Sequence, residues 1–209
     1  MSDVTRMLLV RHGESTWNAV RRWQGQADPP LTERGEAQAG RAALATADHG
    51  PFDLVVTSSL QRAARTGQII SDATGLSLAE PHRALIERAA GEWEGLTRSE
   101  IEAKYPGYLD ADRRPEGYED DASIVARAGG AMVALSADHP GRTLLVVSHG
   151  GVIHALERAH DGDTGWQRLD NLTGRWFDVD HNGWRPVGER VALVPDGGPN
   201  IPPPDRHYT

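Results

Sequence analysis

The sequence predicts an α/β fold of three layers, α/β/α, with a mostly parallel sheet flanked by helices. Two observations carry this. Short aliphatic and β-branched runs at residues 7–10, 54–57 and 143–148 read as strands, and helical patterns lie between them. Each run also ends at polar residues that open a helix, the junction at which open α/β sheets bind ligands.

The elements follow in order. The first strand ends at Arg11-His12-Gly13-Glu14, and the polar residues after it open a helix. Thr32 is the natural N-cap of an Ala-rich helix over 32–47. The second strand runs into Ser58-Ser59, either of which can cap a helix over 60–74 that stops at Gly75. Residues 97–120, with Pro106, Gly107, Pro115 and Gly117, read as an insertion over the sheet edge. Its charges are expected to form a solvated face, with a lid over the substrate as the alternative. A helix over 121–137 ends before Pro140, and the strand at 143–148 leads into Ser148-His149-Gly150-Gly151 and a helix over 152–158. Residues 174–179 and 184–187 predict a hairpin around His181-Asn182-Gly183. No internal repeat is present. One domain over 1–194 is expected, followed by an irregular Pro-rich tail over 195–209.

Composition bounds the function. The 209 residues suffice for a sizeable α/β core. The apolar fraction of 38% and mean hydropathy of -0.51 fit a soluble globular protein. The apolar runs reach only four or five residues, so no membrane partner is expected. The first residues carry no apolar signal region, and a cytoplasmic location is the expectation. A formal charge of -8 argues against a nucleic-acid partner, yet local arginines can still bind a phosphate. There is no cysteine, which removes disulfides, Cys-based zinc sites and a cysteine nucleophile.

The chemistry concentrates at the strand ends. His12 and Arg11 follow the first strand, Arg62 lies in the first turn of the helix after the second, and His149 follows the strand at 143–148. Two histidines and two arginines thus converge on one rim of the sheet, which suits phosphoryl transfer to an imidazole. Gly150 permits close backbone approach. Asn18, Gln24 and Gly25 are expected to line the pocket, although a structural role for Gln24 is nearly as good a reading. Trp17, Trp23 and Trp93 lie near enough in sequence to shape it. Arg65 reads as a surface residue. His154 and His160 lack the spacing of a helical zinc site, and no metal or other cofactor is expected. A Walker A loop, a Gly-x-Gly-x-x-Gly loop and a Gly-x-Ser-x-Gly elbow are all missing.

In these residues the chain resembles the histidine phosphatase superfamily, the phosphoglycerate-mutase-like proteins. The matching blocks are Arg11-His12-Gly13-Glu14 with Asn18, Pro30-Leu31-Thr32 with Gly35, and Ser58 to Thr66. They continue with Leu85, Glu87, Gly91 and Trp93-Glu94-Gly95, then Ser148-His149-Gly150-Gly151, then Asn171, all in family order. The resemblance implies a phosphoglycerate-mutase-like fold and a metal-independent reaction. It implies that His12 is phosphorylated, that Arg11, Arg62 and His149 bind the phosphoryl oxygens, and that Glu87 is the general acid and then the base. Glu92 and Glu94 are nearby competitors for that last role.

The Trp23-Gln24-Gly25-Gln26 block and the 91–97 run resemble the small phosphatases of the family, including broad-specificity phosphomonoesterases and actinobacterial sugar-phosphoglycerate phosphatases. The expected activity is a phosphomonoesterase of the histidine acid phosphatase type, acting on a small phosphorylated metabolite. Cofactor-dependent phosphoglycerate-mutase-type transfer is the alternative, and a catalytically idle binding protein on the same fold is the third reading. A homodimer is the oligomeric state entertained.

Overall fold

The computed structural model describes residues 4–162 and 169–194. The expected Pro-rich tail over 195–209 lies outside the described residues. Six strands form one sheet in the order β3-β2-β4-β1-β5-β6. They are β1 (Thr5–Arg11), β2 (Leu54–Thr57), β3 (Ser77–Leu78), β4 (Thr143–Ser148), β5 (Thr173–Asp180) and β6 (Gly183–Ala192). The first four run parallel to one another, and β5 and β6 are antiparallel additions beyond β1. The helices are α1 (Thr16–Ala19), α2 (Glu33–Ala45), α3 (Gln61–Thr74), α4 (Arg98–Lys104), α5 (Asp121–Ile124), α6 (Gly130–Asp138) and α7 (Gly150–Asp161).

The middle residues of β1, β2 and β4 form continuous apolar runs because both faces of the sheet are covered there. Met7, Leu9, Val56, Leu144 and Val146 face one side and pack on Ile124, Met132, Ile153 and Leu156 from α5, α6 and α7. The alternate residues Leu8, Val10, Val55, Leu145 and Val147 face the other, against Ala42, Ala63 and Ile70 of α2 and α3. These strands carry fully buried side chains, each contributing about 1.5–3 kcal/mol relative to exposure. Among the described residues no helix is long and apolar enough to cross a membrane.

Thr32 caps α2 as expected, its hydroxyl accepting from the Gly35 N–H at 3.0 Å. Gly75 ends α3 in the left-handed conformation, φ 75°. Several expectations need correction. The N-cap of α3 is Leu60, without a side-chain bond, and neither Ser58 nor Ser59 fills that position. The helix expected over 121–137 is interrupted: α5 passes into a π-helical stretch, Val125–Gly129, before α6 resumes. The hairpin forms, with His181 and Asn182 as its loop between the paired Asp180 and Gly183. The strand β3 is an addition.

The 97–120 insertion packs on neighbouring loops, and its apolar cluster contains no strand residue. Its Ile101 and Leu109 join Trp23, Ala90 and Trp93 in a third buried cluster. The charged side chains of Glu102, Lys104, Asp110 and Arg113 are exposed, so the solvated face exists on its outer side.

Candidate active site

Strand register brings the two histidines together. Arg11 pairs with Ser148 across β1 and β4, and the next residue along each strand is His12 and His149. The His12 N–H donates to the Ser148 carbonyl at 3.1 Å. The two rings meet edge to face with centroids 5.2 Å apart. β2 lies on the other side of β4, and its extension places Ser58 against His149, Oγ to Nε2 at 2.8 Å. Ser58 Oγ also accepts the Leu60 N–H at 3.2 Å. The serine therefore holds both the second histidine and the start of α3. Sequence reasoning saw only a cap, because a serine at a strand end suits both roles. The other ring nitrogen of His149, Nδ1, is buried without a hydrogen-bond partner among the described residues.

His12 is fixed in one tautomer. Its Nδ1 lies 2.6 Å from the Gly13 carbonyl, which can only accept, so Nδ1 carries the proton. Nε2 is then a lone pair, and the Arg62 Nε–H donates to it at 3.2 Å. Burial pushes the His12 pKa well below the usual imidazole value, and the charges of Arg62 and Arg11 push it further. His149 is shifted the same way, first by burial and then by Arg62. Both rings are neutral near pH 7.

Arg62 is fully buried. Its Nη1 donates to the Ala27 carbonyl at 2.7 Å and its Nη2 to the Gly25 carbonyl at 3.0 Å. Burial pulls its pKa down to about 10. Gly25 has φ 51°, and a side chain there would overlap the Glu94 carboxylate, so a glycine is needed to turn this carbonyl toward the guanidinium. Arg11 is half-buried and donates to the Leu169 carbonyl at 2.7 Å. Its side chain passes Gly150 at ordinary van der Waals distance from where a Cβ would stand.

Glu87 stands at the N-terminus of α7. Its carboxylate accepts the Gly151 N–H at 3.2 Å and the Arg88 N–H at 2.7 Å. Its competitors are occupied elsewhere: Glu92 accepts from the Tyr105 hydroxyl at 3.0 Å, and Glu94 from the Gln26 N–H at 2.8 Å. A small cleft beside Glu87 is lined by Trp23, Gly25, Arg88 and Tyr118, so the insertion borders the site through Tyr118.

Asn18 closes the capping box of α1 with Ser15. Asn171 links it to the centre, donating to the His12 carbonyl at 2.8 Å and to Asn18 Oδ1 at 3.4 Å. Gln24 is buried and accepts from Ser15 Oγ at 2.6 Å, the structural reading of that residue. Arg65 is exposed and pairs with Glu36 at 2.7 Å. Trp23 and Trp93 are buried against each other edge to face, centroids 5.2 Å apart. Among the described residues no group of His, Asp or Glu is arranged to hold a metal ion.

Comparison with known proteins bears on the family and the fold. The family model described as histidine phosphatase superfamily (branch 1) matches residues 7–190. A Mycobacterium tuberculosis protein named glucosyl-3-phosphoglycerate phosphatase is 36% identical over 167 residues, 74% of each chain. A Methylobacterium radiotolerans protein named 2,3-bisphosphoglycerate-dependent phosphoglycerate mutase is 38% identical over 174 residues, covering 76% of this chain and 80% of its own. The solved structure of a mycobacterial glucosyl-3-phosphoglycerate phosphatase complexed with VO3 superimposes with a TM-score of 0.72. It is 29% identical, over 88% of this chain and 98% of its own.

Proposed function

The chain belongs to the histidine phosphatase superfamily, and on that premise we propose that it hydrolyses a small phosphate monoester through a phosphohistidine on His12. One observation carries the reading: Nδ1 of His12 is held protonated by the Gly13 carbonyl while the Nε2 lone pair faces the Arg62 Nε–H. That is an oriented neutral nucleophile already beside a cation.

In the first step the Nε2 lone pair attacks phosphorus and the bond to the leaving oxygen breaks. Glu87 gives its proton to that oxygen. The Arg62 Nε–H passes from Nε2 to a phosphoryl oxygen, and Arg11 and His149 bind the others. In the second step water attacks phosphorus, Glu87 takes its proton, the P–N bond breaks, and phosphate leaves. Burial and two cations keep His12 neutral below the usual imidazole range, which supports activity in acid and so the finer reading as an acid phosphatase type. The substrate is a small phosphorylated metabolite, and the phosphatase relatives point to a sugar phosphoglycerate.

Transfer to a second hydroxyl, as in a mutase, is the alternative that the Methylobacterium relative favours. Single turnover with a labelled phosphomonoester separates the two. Hydrolysis gives an acid-labile, base-stable label that His12→Ala abolishes, followed by free phosphate. Label appearing on an isomeric acceptor establishes the mutase reading instead. A protein that takes no label on His12 refutes both.

A further inference from the structure

The segment that carries Glu87 has no secondary structure over residues 86–89. Its backbone carbonyls therefore need partners from elsewhere. Gln26 Nε2 donates to the Glu87 carbonyl at 3.1 Å, and Arg127 supplies the larger share. Its Nη1 donates to the carbonyls of Ala84 and Ile86, both at 2.8 Å, and its Nη2 to the carbonyl of Glu87 at 3.2 Å. Its Nε and Nη2 also donate to the Glu119 carboxylate at 2.7 and 2.9 Å. A guanidinium has five N–H groups, and these contacts engage all of them.

Glu119 completes the grip. Its carboxylate accepts the Ala89 N–H at 3.2 Å, and its own N–H donates to the Ala89 carbonyl at 3.0 Å. This ion pair therefore grips the segment from Ala84 to Ala89 at four residues, beside the Gln26 bond to Glu87 and the Arg88 bonds to the Glu119 carbonyl and Asp121. Glu119 comes from the end of the insertion, whereas Arg127 comes from the π-helical stretch. Such a stretch changes the direction in which side chains leave a helix and is frequent at functional sites. The charge of Arg127 also reaches His149.

We infer that Arg127 is a positioning residue for proton delivery. With Glu119 it fixes the backbone that aims the Glu87 carboxyl at the leaving oxygen, and it couples the 97–120 insertion to that carboxyl. The inference rests on Glu87 as the general acid.

A leaving-group comparison tests it on the full chain. p-Nitrophenolate departs without a proton, whereas an alkoxide needs one. The ratio of phosphorylation rates, p-nitrophenyl over alkyl phosphate, is measured for Arg127→Lys, Glu119→Gln, Glu87→Gln and the Arg127→Lys/Glu87→Gln double variant. The ratio rises about tenfold or more in Arg127→Lys and in Glu119→Gln, part of the roughly 10²–10⁴-fold that general acid catalysis supplies. The double variant has the ratio of Glu87→Gln alone. Glu119→Gln keeps the shape of the side chain and decides the matter if Arg127→Lys does not fold. Equal slowing of both substrates in the folded variants, or a double variant whose ratio is the product of the two, overturns the inference. If Glu87→Gln leaves the ratio unchanged, the acid assignment fails and takes the inference with it. If Glu87→Gln raises the ratio and the Arg127 and Glu119 variants do not, the positioning role alone fails.

Discussion

Replacing Arg62 by Met removes a buried guanidinium and keeps an unbranched side chain of similar length. Two of its hydrogen bonds serve the loop carbonyls of Ala27 and Gly25, and one reaches His12 Nε2. The Nε–H can turn to a phosphoryl oxygen without releasing the loop. One lost oxyanion donor costs about 2.7–4 kcal/mol in the transition state, which is about 10²–10³ in rate. The effect on stability is smaller because two terms oppose. The carbonyls left unpaired cost about 1–3 kcal/mol each, while a charge with an effective burial penalty of several kcal/mol is removed. The net change in unfolding free energy is expected within about 2 kcal/mol. A second signature accompanies the rate loss. The Arg62 charge is, after burial, the leading cause of the low pKa of both His12 and His149. Without it the nucleophile takes a proton more readily, so the acid limb of kcat/KM moves to higher pH. Stopped-flow release of p-nitrophenol across pH, with urea unfolding as the control, measures both quantities. A folded variant that loses less than about tenfold in kcat/KM, or whose acid limb stays in place, refutes the argument.

Acid should weaken the fold before the carboxylates titrate. His12, His149 and His154 all have folded pKa values below the ordinary 6.5, His154 at about 3, chiefly through burial. Below 6.5 the unfolded chain binds more protons than the folded one, so their contribution is intact above 6.5 and is lost as pH falls toward the folded values. The slope is about 1.4 kcal/mol per pH unit for each histidine, and unfolding free energies that are flat between pH 6.5 and 5 contradict it. Gly151→Ala sets a methyl against Glu87 Oε1 and 3.2 Å from Arg88 Cβ. The carboxyl can swing aside, so stability should change by at most about 1 kcal/mol, while alkyl phosphate turnover falls by an order of magnitude or more; unchanged turnover would place the carboxyl elsewhere. Gly174→Ala in β5 drives a methyl into the backbone carbonyl of Leu9, which cannot yield. A loss of about 3 kcal/mol or more is expected, and a urea midpoint equal to that of the parent would show the β1–β5 register to be wrong.

The candidate site was legible in the sequence where its residues coincide with a regular element. His12 and His149 end apolar strands, Arg62 opens a helix, and a parallel sheet leaves those ends on one rim. Other features depend on contacts that no local pattern encodes. β3 is only two residues long and shows no alternation. The apolar cluster of the insertion draws Trp23 from a loop and Trp93 from a single 3-10 turn, at spacings with neither a helical nor a strand period. Arg127 was hidden for a different reason. The pattern over 121–137 reads as an uninterrupted helix, and a π-helical stretch leaves that periodicity almost unchanged while altering where the side chain points.

The proposed nucleophile and anion clamp share one environment. Arg62 is anchored by two backbone carbonyls, with Glu87 and Asp28 reaching it through their charge. Carbonyl dipoles orient a guanidinium without neutralising it. Burial first, and then the positive charge that remains, hold the His12 imidazole neutral, and the same charge is what a phosphoryl group entering between the rings would meet. A carboxylate bonded directly to Arg62 would have stabilised the buried cation better, but it would have raised the pKa of His12 and weakened the pull on the phosphate together. The anchoring by Gly25 and Ala27 thus gives the loop following Gln24 a part in the proposed chemistry even though Gln24 itself turns away to hold Ser15.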